Sequence, residues 1–597
     1  MTAYQAPIED MRFVINEIAD MSNVASLPGF EDASPELVDA ILEEAGKMSA
    51  DILAPINKSG DEQGCSLENG VVRSPDGFRE AYRQFIDNGW NGMPFDPEHG
   101  GQGLPWLVTT AVTEMVQAAN MSFGLCPLLT QGAVELLAAH GSEELKSVFL
   151  GKMVSGEWNG TMNLTEPQAG SDLARVRTKA VKDGDSYRVS GTKIFITYGE
   201  NDFVENIIHL VLARLPDAPE GIKGISLFVV PKFLVNEDGT PGARNDLRCV
   251  SLEHKLGINA SPTAVMAFGD NEGAIGYLVG EENQGIRCMF TMMNNARLNV
   301  GLQGVGIGER AYQHARNYAL ERVQSRAIDS SATEPVTIIQ HPDVKRMLLS
   351  MKCQTEATRA VAYYVAGKLD ISKRHEDPEI RQRAQALVDL LTPVVKAWSS
   401  DTGIEVANTG VQIYGGMGFI EESGAPQHLR DARIAAIYEG TNGIQANDLV
   451  GRKIVYDKGA AITSLIAIIR EFVEEPADTD NENLSSMRRA LADSADVLEQ
   501  TSSWIVDTYP NNPKDVAAGA VPFLRLLGLV SGGWLLVKSA FIAQEKLNAG
   551  DGNANFMRMK TVSARFFVDH LLIQAHSLGE TVTKGAAAVN SVTENDF

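Results

Sequence analysis

One carboxylate of the chain, Glu439, directly follows an apolar stretch and precedes a run of small residues. It lies in the segment LRDARIAAIYEGTNGIQANDL, where residues 434–437 are Ile, Ala, Ala and Ile. Burial beside apolar side chains raises the pKa of a carboxyl group toward neutrality and makes the group an effective general base. We therefore expect Glu439 to be buried and to act as a base. The local pattern is also typical of a solvated helix end, with Thr441 or Asn442 capping the next helix.

A second candidate for binding chemistry is the stretch MNLTEPQAGSDLARVRTKAV, residues 162–181. Pro167, Gly170 and the pair Ser171-Asp172 favour a tight turn. Backbone N–H groups that point outward from such a turn can bind the edge of an electron-rich ring or a pyrophosphate. A loop that simply leads into a strand has a similar composition, so the spacing alone leaves both interpretations open.

Changes in hydrophobic periodicity divide the chain into four regions. Residues 1–159 and 279–457 have helical periodicity, residues 160–278 alternate as strands do, and residues 458–597 again form amphipathic helices. This order predicts an α+β chain that is mainly α. Its parts are an N-terminal helical domain, a small antiparallel middle β domain, a helical bundle that carries Glu439, and an additional helical C-terminal domain, which begins near the acidic linker EFVEEPADTD.

Local patterns place individual elements within these regions. Ser34 and Pro35 predict the cap and first turn of a helix. The residues expected on its buried face are Leu37, Ile41, Ala45 and Met48. The segment DSYRVSGTKIFIT alternates around a predicted turn at residues 190 and 191, and GISLFVVP and TAVMAFGD are strand candidates. Residues 105–141 are so apolar that their helices are expected to be buried.

The composition excludes several classes of protein. The chain has 597 residues, 44% of them hydrophobic, and a formal net charge of −25, so we expect an ordinary globular protein without a nucleic-acid partner. Five widely separated cysteines without metal-ligand spacing predict a reducing compartment and no metal site. The N-terminus has no secretory pattern, and we expect no uncharged apolar run that approaches the roughly 20 residues of a membrane span. We therefore expect a cytoplasmic protein without a membrane partner.

Four motifs, in this order, resemble signatures of the acyl-CoA dehydrogenase family: TEPQAGSD, KIFIT, QIYGGMGF and RDARIAAIYEGTNGIQ. The resemblance covers roughly residues 80–455. It implies non-covalently bound FAD, an acyl-CoA substrate and an electron-transfer flavoprotein as electron acceptor. The length and the C-terminal extension resemble a long bacterial branch of the family, which includes dehydrogenases of 3-(methylthio)propionyl-CoA in dimethylsulfoniopropionate breakdown. That resemblance implies this thioester as the substrate.

The resemblance also implies which residues contact FAD. They are Met162, Leu164, Thr165, Gly170, Ser171, Phe195, Ile196, Thr197, Arg322, Gln412, Gly415, Gly416, Thr441 and Asn442. Leu164 and Thr165 would bond the flavin ring, and Arg322 would bind the pyrophosphate, a role suited to a guanidinium. The segment from Gln412 to Gly416 would reach the FAD of a neighbouring subunit, which implies an oligomer.

The chain departs from the family pattern at three of these places. Phe195 stands where many relatives have Trp, which keeps a stacking surface and removes an indole donor. Ser325 replaces a common aromatic residue three positions after Arg322, and the segment AIDSSATEPVTI inserts residues before His341. The cofactor contacts between residues 323 and 341 are therefore left open.

For the substrate, the resemblance implies contacts from Ser171, Asn294, Arg297 and Gly440, with Glu439 as the catalytic base. Asn294 stands where relatives often have Asp. An α-proton of a thioester is a weak acid, so its removal needs a positioned base and donors aimed at the carbonyl oxygen. In relatives these donors are the backbone N–H of the glutamate and a ribityl hydroxyl of FAD, while the β-hydride passes to flavin N5.

Other functions are compatible with the same motifs. They are a general short- or medium-chain acyl-CoA dehydrogenase, an acyl-CoA oxidase that uses oxygen, and a flavin-bearing binding protein with little activity. DNA-associated members of the superfamily need a basic surface, and residues 458–597 contain more Asp and Glu than Lys and Arg. In larger relatives the added helical domain takes the place of the second dimer of a tetramer, so the resemblance favours a homodimer.

Overall fold

The computed structural model describes residues 4–328, 334–475 and 481–597, which divide into two compact units. The first unit comprises residues 1–46, 105–118 and 300–597, and the second comprises residues 47–104 and 119–299. Parts of the insertion AIDSSATEPVTI and of the predicted acidic linker EFVEEPADTD lie outside the described residues. The predicted mainly helical α+β class is confirmed, while the limits of the four predicted domains stay a prediction.

The helices, in chain order, are α1 Ile8–Phe13, α2 Met21–Ala25, α3 Pro35–Met48, α4 Pro55–Gln63, α5 Phe78–Asp87, α6 Trp106–Ala119, α7 Met121–His140, α8 Glu143–Ser155, α9 Gly285–Glu321, α10 Pro342–Arg374, α11 Pro378–Tyr414, α12 Ala425–Ala432, α13 Asn442–Asp448, α14 Ala460–Glu474, α15 Glu482–Thr508, α16 Pro513–Ala518, α17 Ala520–Ala549, α18 Ala554–His570, α19 Ala575–Lys584 and α20 Ala586–Ser591. The strands are β1 Ser66–Glu68, β2 Val71–Arg73, β3 Trp158–Asn163, β4 Lys179–Asp183, β5 Ser186–Thr197, β6 Asn206–Arg214, β7 Ile225–Pro231, β8 Phe233–Val235, β9 Pro241–Arg244, β10 Leu247–Leu252, β11 Thr263–Phe268 and β12 Ala274–Val279.

The second unit is built around one large sheet with the strand order β10-β11-β5-β12-β7-β6-β3, and β4 pairs with β5 and β6. The sheet is mostly antiparallel, as predicted, but β3 runs parallel to β6. The predicted antiparallel domain is thus confirmed, with a parallel pair at this edge. The segment between these two strands contains the hairpin β4–β5, and this long connection lets β6 return in the same direction as β3.

The long strand β5 corrects the prediction of a turn at residues 190 and 191. It runs without interruption through Gly191, which has a φ of +155°. A Cβ there would lie 2.4 Å from Thr178 Oγ1, so glycine allows a close approach. The strand pairs with β12 before Gly191 and with β11 from Gly191 onward. A change of partner strand thus takes the place of the predicted turn.

The first unit is a helical assembly. Helix α3 begins at Pro35, and Ser34 Oγ accepts from Leu37 N at 3.3 Å, which confirms the predicted cap. Its buried face is rotated from the expected one, because Leu37 is 39% exposed while Val38 and Leu42 are buried. Two residues of the predicted face, Ala45 and Met48, are buried as expected, and Ile41 is partly exposed.

The C-terminal helices join the rest of the first unit through α17, which packs against α10 and α11. The contact is close because α17 presents glycines to an indole ring. A Cβ on Gly528 or Gly532 would lie 2.6 Å or 2.5 Å from the ring of Trp398. A larger residue at either position would push α17 away from α11.

Two helices, α7 and α17, are long and apolar enough to cross a membrane by length and composition alone. The expectation that no run approaches such a length is therefore wrong. Their most apolar windows are 89% and 83% buried inside the protein, which is typical of core helices. The predicted burial of the helices over residues 105–141 is confirmed.

Candidate active site

Glu439 lies in a non-helical turn of the first unit, between a short 3₁₀ segment, Arg433–Ala436, and α13. Its φ is +56°, and Gly440 after it has a φ of +82°. Thr441 caps α13, since its Oγ1 accepts from Ile444 N at 3.2 Å. The predicted cap is thus confirmed, and the left-handed backbone at Glu439 and Gly440 separates the 3₁₀ segment from α13.

The prediction that Glu439 is buried is not met in the structure, where the residue is partly exposed. The apolar stretch before it is only partly internal: Ala435 is buried, and Ile437 is 47% exposed. The neighbouring Tyr438 donates from its hydroxyl group to Gln303 Oε1. Burial and the nearby Glu439 carboxylate raise the pKa of Tyr438, so this phenol stays protonated at neutral pH.

The turn is tied to α11 by polar contacts. Lys396 donates from Nζ to Gly440 O at 2.7 Å and to Asn442 Oδ1 at 2.9 Å. Asn442 Nδ2 donates to Asp401 Oδ1 at 2.7 Å. The Asn442 side chain, which the resemblance assigns to FAD, thus faces α11 in this structure.

The segment QIYGGMGF follows the end of α11. Gly415 has a φ of +58° and ends the helix, and a Cβ on Gly415 or Gly416 would have no atom within 4 Å. Gln412 is exposed on the last turn of α11. The large side chains Met417 and Phe419 are 51% and 88% exposed. A ligand or another protein chain can therefore approach the backbone of this segment closely.

Arg322 lies directly after α9 and is exposed. Its Nη2 donates to Gln324 Oε1 at 3.4 Å, a weak contact that leaves donors of the guanidinium for a ligand. After Arg322, Val323 pairs through its backbone with Thr337, which lies near the end of the inserted segment. Ser325, between these two residues, has a left-handed φ of +61°.

In the second unit, the segment after β3 folds into the predicted tight turn. Glu166 N donates to Ala169 O at 3.0 Å, and Ala169 N donates to Glu166 O at 2.9 Å. Gly170 and Ser171 follow on the surface, and a Cβ on Gly170 would meet no atom within 4 Å. Met162, on β3, is partly exposed, as are Leu164 and Thr165 beyond it.

A buried ion pair joins this turn to the strand KIFIT. Lys193 Nζ lies 2.8 Å from Glu166 Oε1 and donates to Leu164 O at 3.0 Å. Ile194 N donates to Thr165 O at 2.9 Å. Burial raises the pKa of Glu166, but Lys193 and hydrogen bonds such as that from Thr178 outweigh this and lower it to about 2. Burial lowers the pKa of Lys193 to about 8, which leaves the ammonium charged at neutral pH.

The strand KIFIT turns its aromatic residue outward. Phe195 has a φ of +60° at an irregularity in the pairing of β5 with β11, and its side chain is 58% exposed. Ile196 is buried, and Thr197, partly exposed, pairs with Thr263. An exposed ring beside the main chain of Thr165 is a suitable surface for a planar aromatic group.

The two predicted substrate contacts on α9 lie one helical turn apart. Arg297 Nη1 donates to Asn294 Oδ1 at 3.4 Å, and its guanidinium lies 5.8 Å from the centroid of the Phe290 ring. Arg297 is only 6% exposed, so it does not belong to a solvated helix face. Asn294 is exposed.

Comparison with known proteins agrees with these motifs. Models of the N-terminal, middle and C-terminal domains of acyl-CoA dehydrogenases match residues 39–157, 161–270 and 283–454, and a model described as "Acetyl-CoA dehydrogenase C-terminal like" matches residues 465–593. The chain is 49% identical to 3-methylmercaptopropionyl-CoA dehydrogenase of Ruegeria pomeroyi over 97% of this chain and 98% of that protein. The chain belongs to the acyl-CoA dehydrogenase family. As a member, it is an FAD-dependent oxidoreductase that acts on acyl-CoA thioesters.

Two further similarities extend over nearly the whole chain. A butyryl-CoA dehydrogenase of Syntrophomonas wolfei is 36% identical over 95% of this chain and 94% of that protein. The structure of an acyl-CoA dehydrogenase complexed with FAD from Bacillus anthracis is 20% identical, with a TM-score of 0.74, over 98% of this chain and 93% of that chain. The C-terminal helices are therefore part of the fold that these long proteins share.

The residues present fit the family's FAD. In the second unit the exposed Phe195 ring and the partly exposed Thr165 offer a stacking and hydrogen-bonding surface for a flavin. In the first unit Arg322 is an exposed guanidinium, and Gly415 and Gly416 leave open space where other residues would have a Cβ. Each unit thus supplies groups of the chemistry that FAD requires.

The residues that sequence analysis missed are those that hold the candidate site in place. Glu166 and Lys193 lie inside the motifs TEPQAGSD and KIFIT, but only other residues of these motifs were predicted to contact FAD. Lys396 is a single charge in the apolar run TPVVKAW. A single lysine in such a run indicates a buried ammonium that needs specific partners, and this signal could have identified Lys396 from the sequence.

We predict that Lys193→Met weakens FAD binding. The change leaves Glu166 buried without its cation, which costs about 3 kcal/mol of folding stability, and it removes the bond to Leu164 O. The folded-state pKa of Glu166 is below its ordinary value of 4.5, so the pair stabilises the fold above that pH and less as the pH falls toward 2. Fluorescence titration of the apoprotein with FAD measures the effect, with the exposed Lys179 on β4, changed to Met, as control. Equal FAD affinity in both variants would contradict the prediction.

Proposed function

We propose that this chain oxidises 3-(methylthio)propionyl-CoA to 3-(methylthio)acryloyl-CoA, with Glu439 as the base that removes the α-proton. The observation that carries the choice of substrate is the 49% identity, over nearly the full length of both chains, to a dehydrogenase named for that thioester. A thioether sulfur is similar in size to a methylene group and soft enough for an apolar pocket. Butyryl-CoA and other short-chain esters are weaker substrates in this proposal.

The position of Glu439 supports its role as the base. Glu439 has a left-handed backbone and is partly exposed, and α11 holds the residues after it. The carboxylate takes the α-proton while the backbone N–H of Glu439 donates to the thioester carbonyl oxygen, where negative charge develops. Such a donor can lower the barrier by about 3 kcal/mol. FAD, when bound, accepts the hydride that leaves the β-carbon, and loss of the proton and the hydride gives the trans double bond.

The other predicted site residues have supporting roles in this proposal. Arg297 and Asn294 bind the substrate together with Ser171 and Gly440. The buried position of Arg297 suits a residue that orients a ligand, since its guanidinium is already held by Phe290 and Asn294. Arg322 binds the FAD pyrophosphate.

We also propose that the enzyme passes its electrons to an electron-transfer flavoprotein, in the cytoplasm, during dimethylsulfoniopropionate breakdown. We propose a homodimer in which the segment Gln412–Gly416 reaches the partner's FAD. The exposed Met417 and Phe419 beside that segment support an interface there. Sedimentation equilibrium of the holoenzyme is expected to give a mass near two chains, and a mass near four chains would refute the dimer.

A substrate panel tests the proposed function. Initial rates with an electron-transfer flavoprotein or a dye as acceptor are measured for 3-(methylthio)propionyl-, butyryl- and palmitoyl-CoA, and the enoyl products are identified by mass. We expect the highest kcat/KM for the methylthio ester and little oxygen consumption. Much faster turnover of palmitoyl-CoA would overturn the proposed substrate, and oxygen consumption that matches product formation would favour the acyl-CoA oxidase.

A further inference from the structure

The backbone at Glu439 needs support from the rest of the first unit. A residue with a side chain adopts left-handed backbone at a cost of about 1–2 kcal/mol, and such a conformation persists only where surrounding contacts determine it. Two side chains hold the carbonyl groups of this turn. Gln445 donates from Nε2 to Glu439 O at 3.2 Å, and Lys396 donates from Nζ to Gly440 O at 2.7 Å.

Lys396 reaches the turn from the interior. Its side chain is 0% exposed, and the preceding residues Val394 and Val395 are buried as well. An ammonium group in such a place is costly unless hydrogen bonds replace its hydration. Lys396 makes two of these bonds to the Glu439 turn, to Gly440 O and to Asn442 Oδ1. Hydrogen bonds with a charged partner contribute about 1.5–3 kcal/mol each.

The same face of α11 holds Asn442 at further points. Asn442 Nδ2 donates to Ala397 O at 3.1 Å, to Ser400 Oγ at 3.0 Å and to Asp401 Oδ1 at 2.7 Å. Residues 396, 397, 400 and 401 lie within little more than one helical turn and form one surface of α11. This surface therefore fixes Gly440 and Asn442 together, on either side of Thr441.

We propose that Lys396 is a positioning residue for the dehydrogenation. By holding Gly440 and Asn442 to α11, its ammonium keeps Glu439 in the backbone conformation that aims the carboxylate at the α-carbon of the thioester. This inference rests on the proposed function of Glu439 as the base. Displacement of a reacting group by about 1 Å can slow a reaction by about 100-fold.

Lys396→Met tests the inference, because it keeps most of the aliphatic stem and removes the ammonium. In stopped-flow experiments on the FAD-loaded variant, we expect flavin reduction to slow by about 100-fold, with KM nearly unchanged. The isotope effect with α-deuterated substrate should increase, since proton transfer to a misplaced base becomes more rate-limiting. In the FAD-free protein, hydrogen exchange of a peptide covering residues 437–445 should become faster.

The matched control is Lys368→Met on α10. Lys368 is a partly buried lysine whose ammonium lies 5.1 Å from the centroid of the Tyr364 ring. In this variant we expect the rate of flavin reduction and the rate of hydrogen exchange of residues 437–445 to equal those of the wild type. If Lys396→Met does not fold, Lys396→Gln replaces it, because its shorter neutral amide cannot reproduce both bonds and should cause the same changes at a smaller size.

The outcomes separate this inference from the proposed function. If the folded Lys396 variant has the wild-type rates of flavin reduction and of hydrogen exchange, the positioning role is overturned and Glu439 remains the base. A lower melting temperature with an unchanged rate of flavin reduction would also overturn it, since Lys396 would then only stabilise the fold. Full turnover in Glu439→Gln would instead overturn the proposed base, whatever Lys396 does.

Discussion

Glu439→Gln is expected to retain FAD and the fold and to lose dehydrogenation, with kcat lower by about 10²–10⁴-fold. The amide is nearly the same size as the carboxylate but cannot accept the α-proton. Because Glu439 is partly exposed and its turn is held through main-chain carbonyl groups, the change leaves the contacts of Gln445 and Lys396 in place. The measurement is kcat with the preferred thioester, per bound FAD.

A matched control separates loss of the base from loss of negative charge on the first unit. Glu405 is an exposed glutamate on α11, the helix that also carries Lys396. Glu405→Gln should keep wild-type turnover. Comparable turnover in the two FAD-loaded variants would show that Glu439 is not the base.

Arg359→Met is expected to destabilise the first unit by about 3–5 kcal/mol. Arg359, on α10, is 1% exposed and binds carboxylates from three other helices. Its Nη1 donates to Asp10 Oδ2 at 2.6 Å, and Nη2 donates to Glu114 Oε1 at 2.6 Å and to Glu309 Oε2 at 2.8 Å. Methionine would leave these acidic groups buried together without their shared cation. Lys560 of α18 also pairs with Asp10, so the effect should extend to the C-terminal helices.

Calorimetry of the FAD-free variant measures this loss as a lower melting temperature of one transition. The control is Arg383→Met, since Arg383 pairs with Glu379 on the surface of α11, where both side chains are more than 80% exposed. Exposed pairs contribute about 0–1 kcal/mol, so the control should melt like the wild type. Equal melting temperatures of the two variants would show that the buried cluster does not hold the unit together.

Much of the fold was predictable because hydrophobic periodicity and end signals act locally. The Ser34 cap, the strand Ile225–Pro231 and the long helices α9 and α11 follow from such signals. The continuous course of β5 through Gly191 was not predictable, because it depends on which strands pair on either side. The parallel pairing of β3 with β6 likewise depends on topology rather than on the sequence of either strand.

The candidate site likewise combines features that the local sequence predicts with features that depend on tertiary contacts. The residue types around Glu439 and the cap at Thr441 can be inferred from the sequence. The left-handed φ of Glu439 and its partial exposure cannot, since they are tertiary features of a turn that a helix about 40 residues earlier in the chain contacts through Lys396. The pair Glu166–Lys193 is likewise a tertiary contact, although both residues lie within recognisable motifs.

Anaerobic titration of the FAD-loaded protein with 3-(methylthio)propionyl-CoA tests the central claim most directly. We expect rapid bleaching of the flavin with formation of the enoyl thioester in the wild type, slower bleaching with butyryl-CoA, and almost none in Glu439→Gln. Absence of bleaching with any acyl-CoA, despite bound FAD, would contradict the proposed oxidation. Bleaching in Glu439→Gln at the wild-type rate would contradict the assignment of the base.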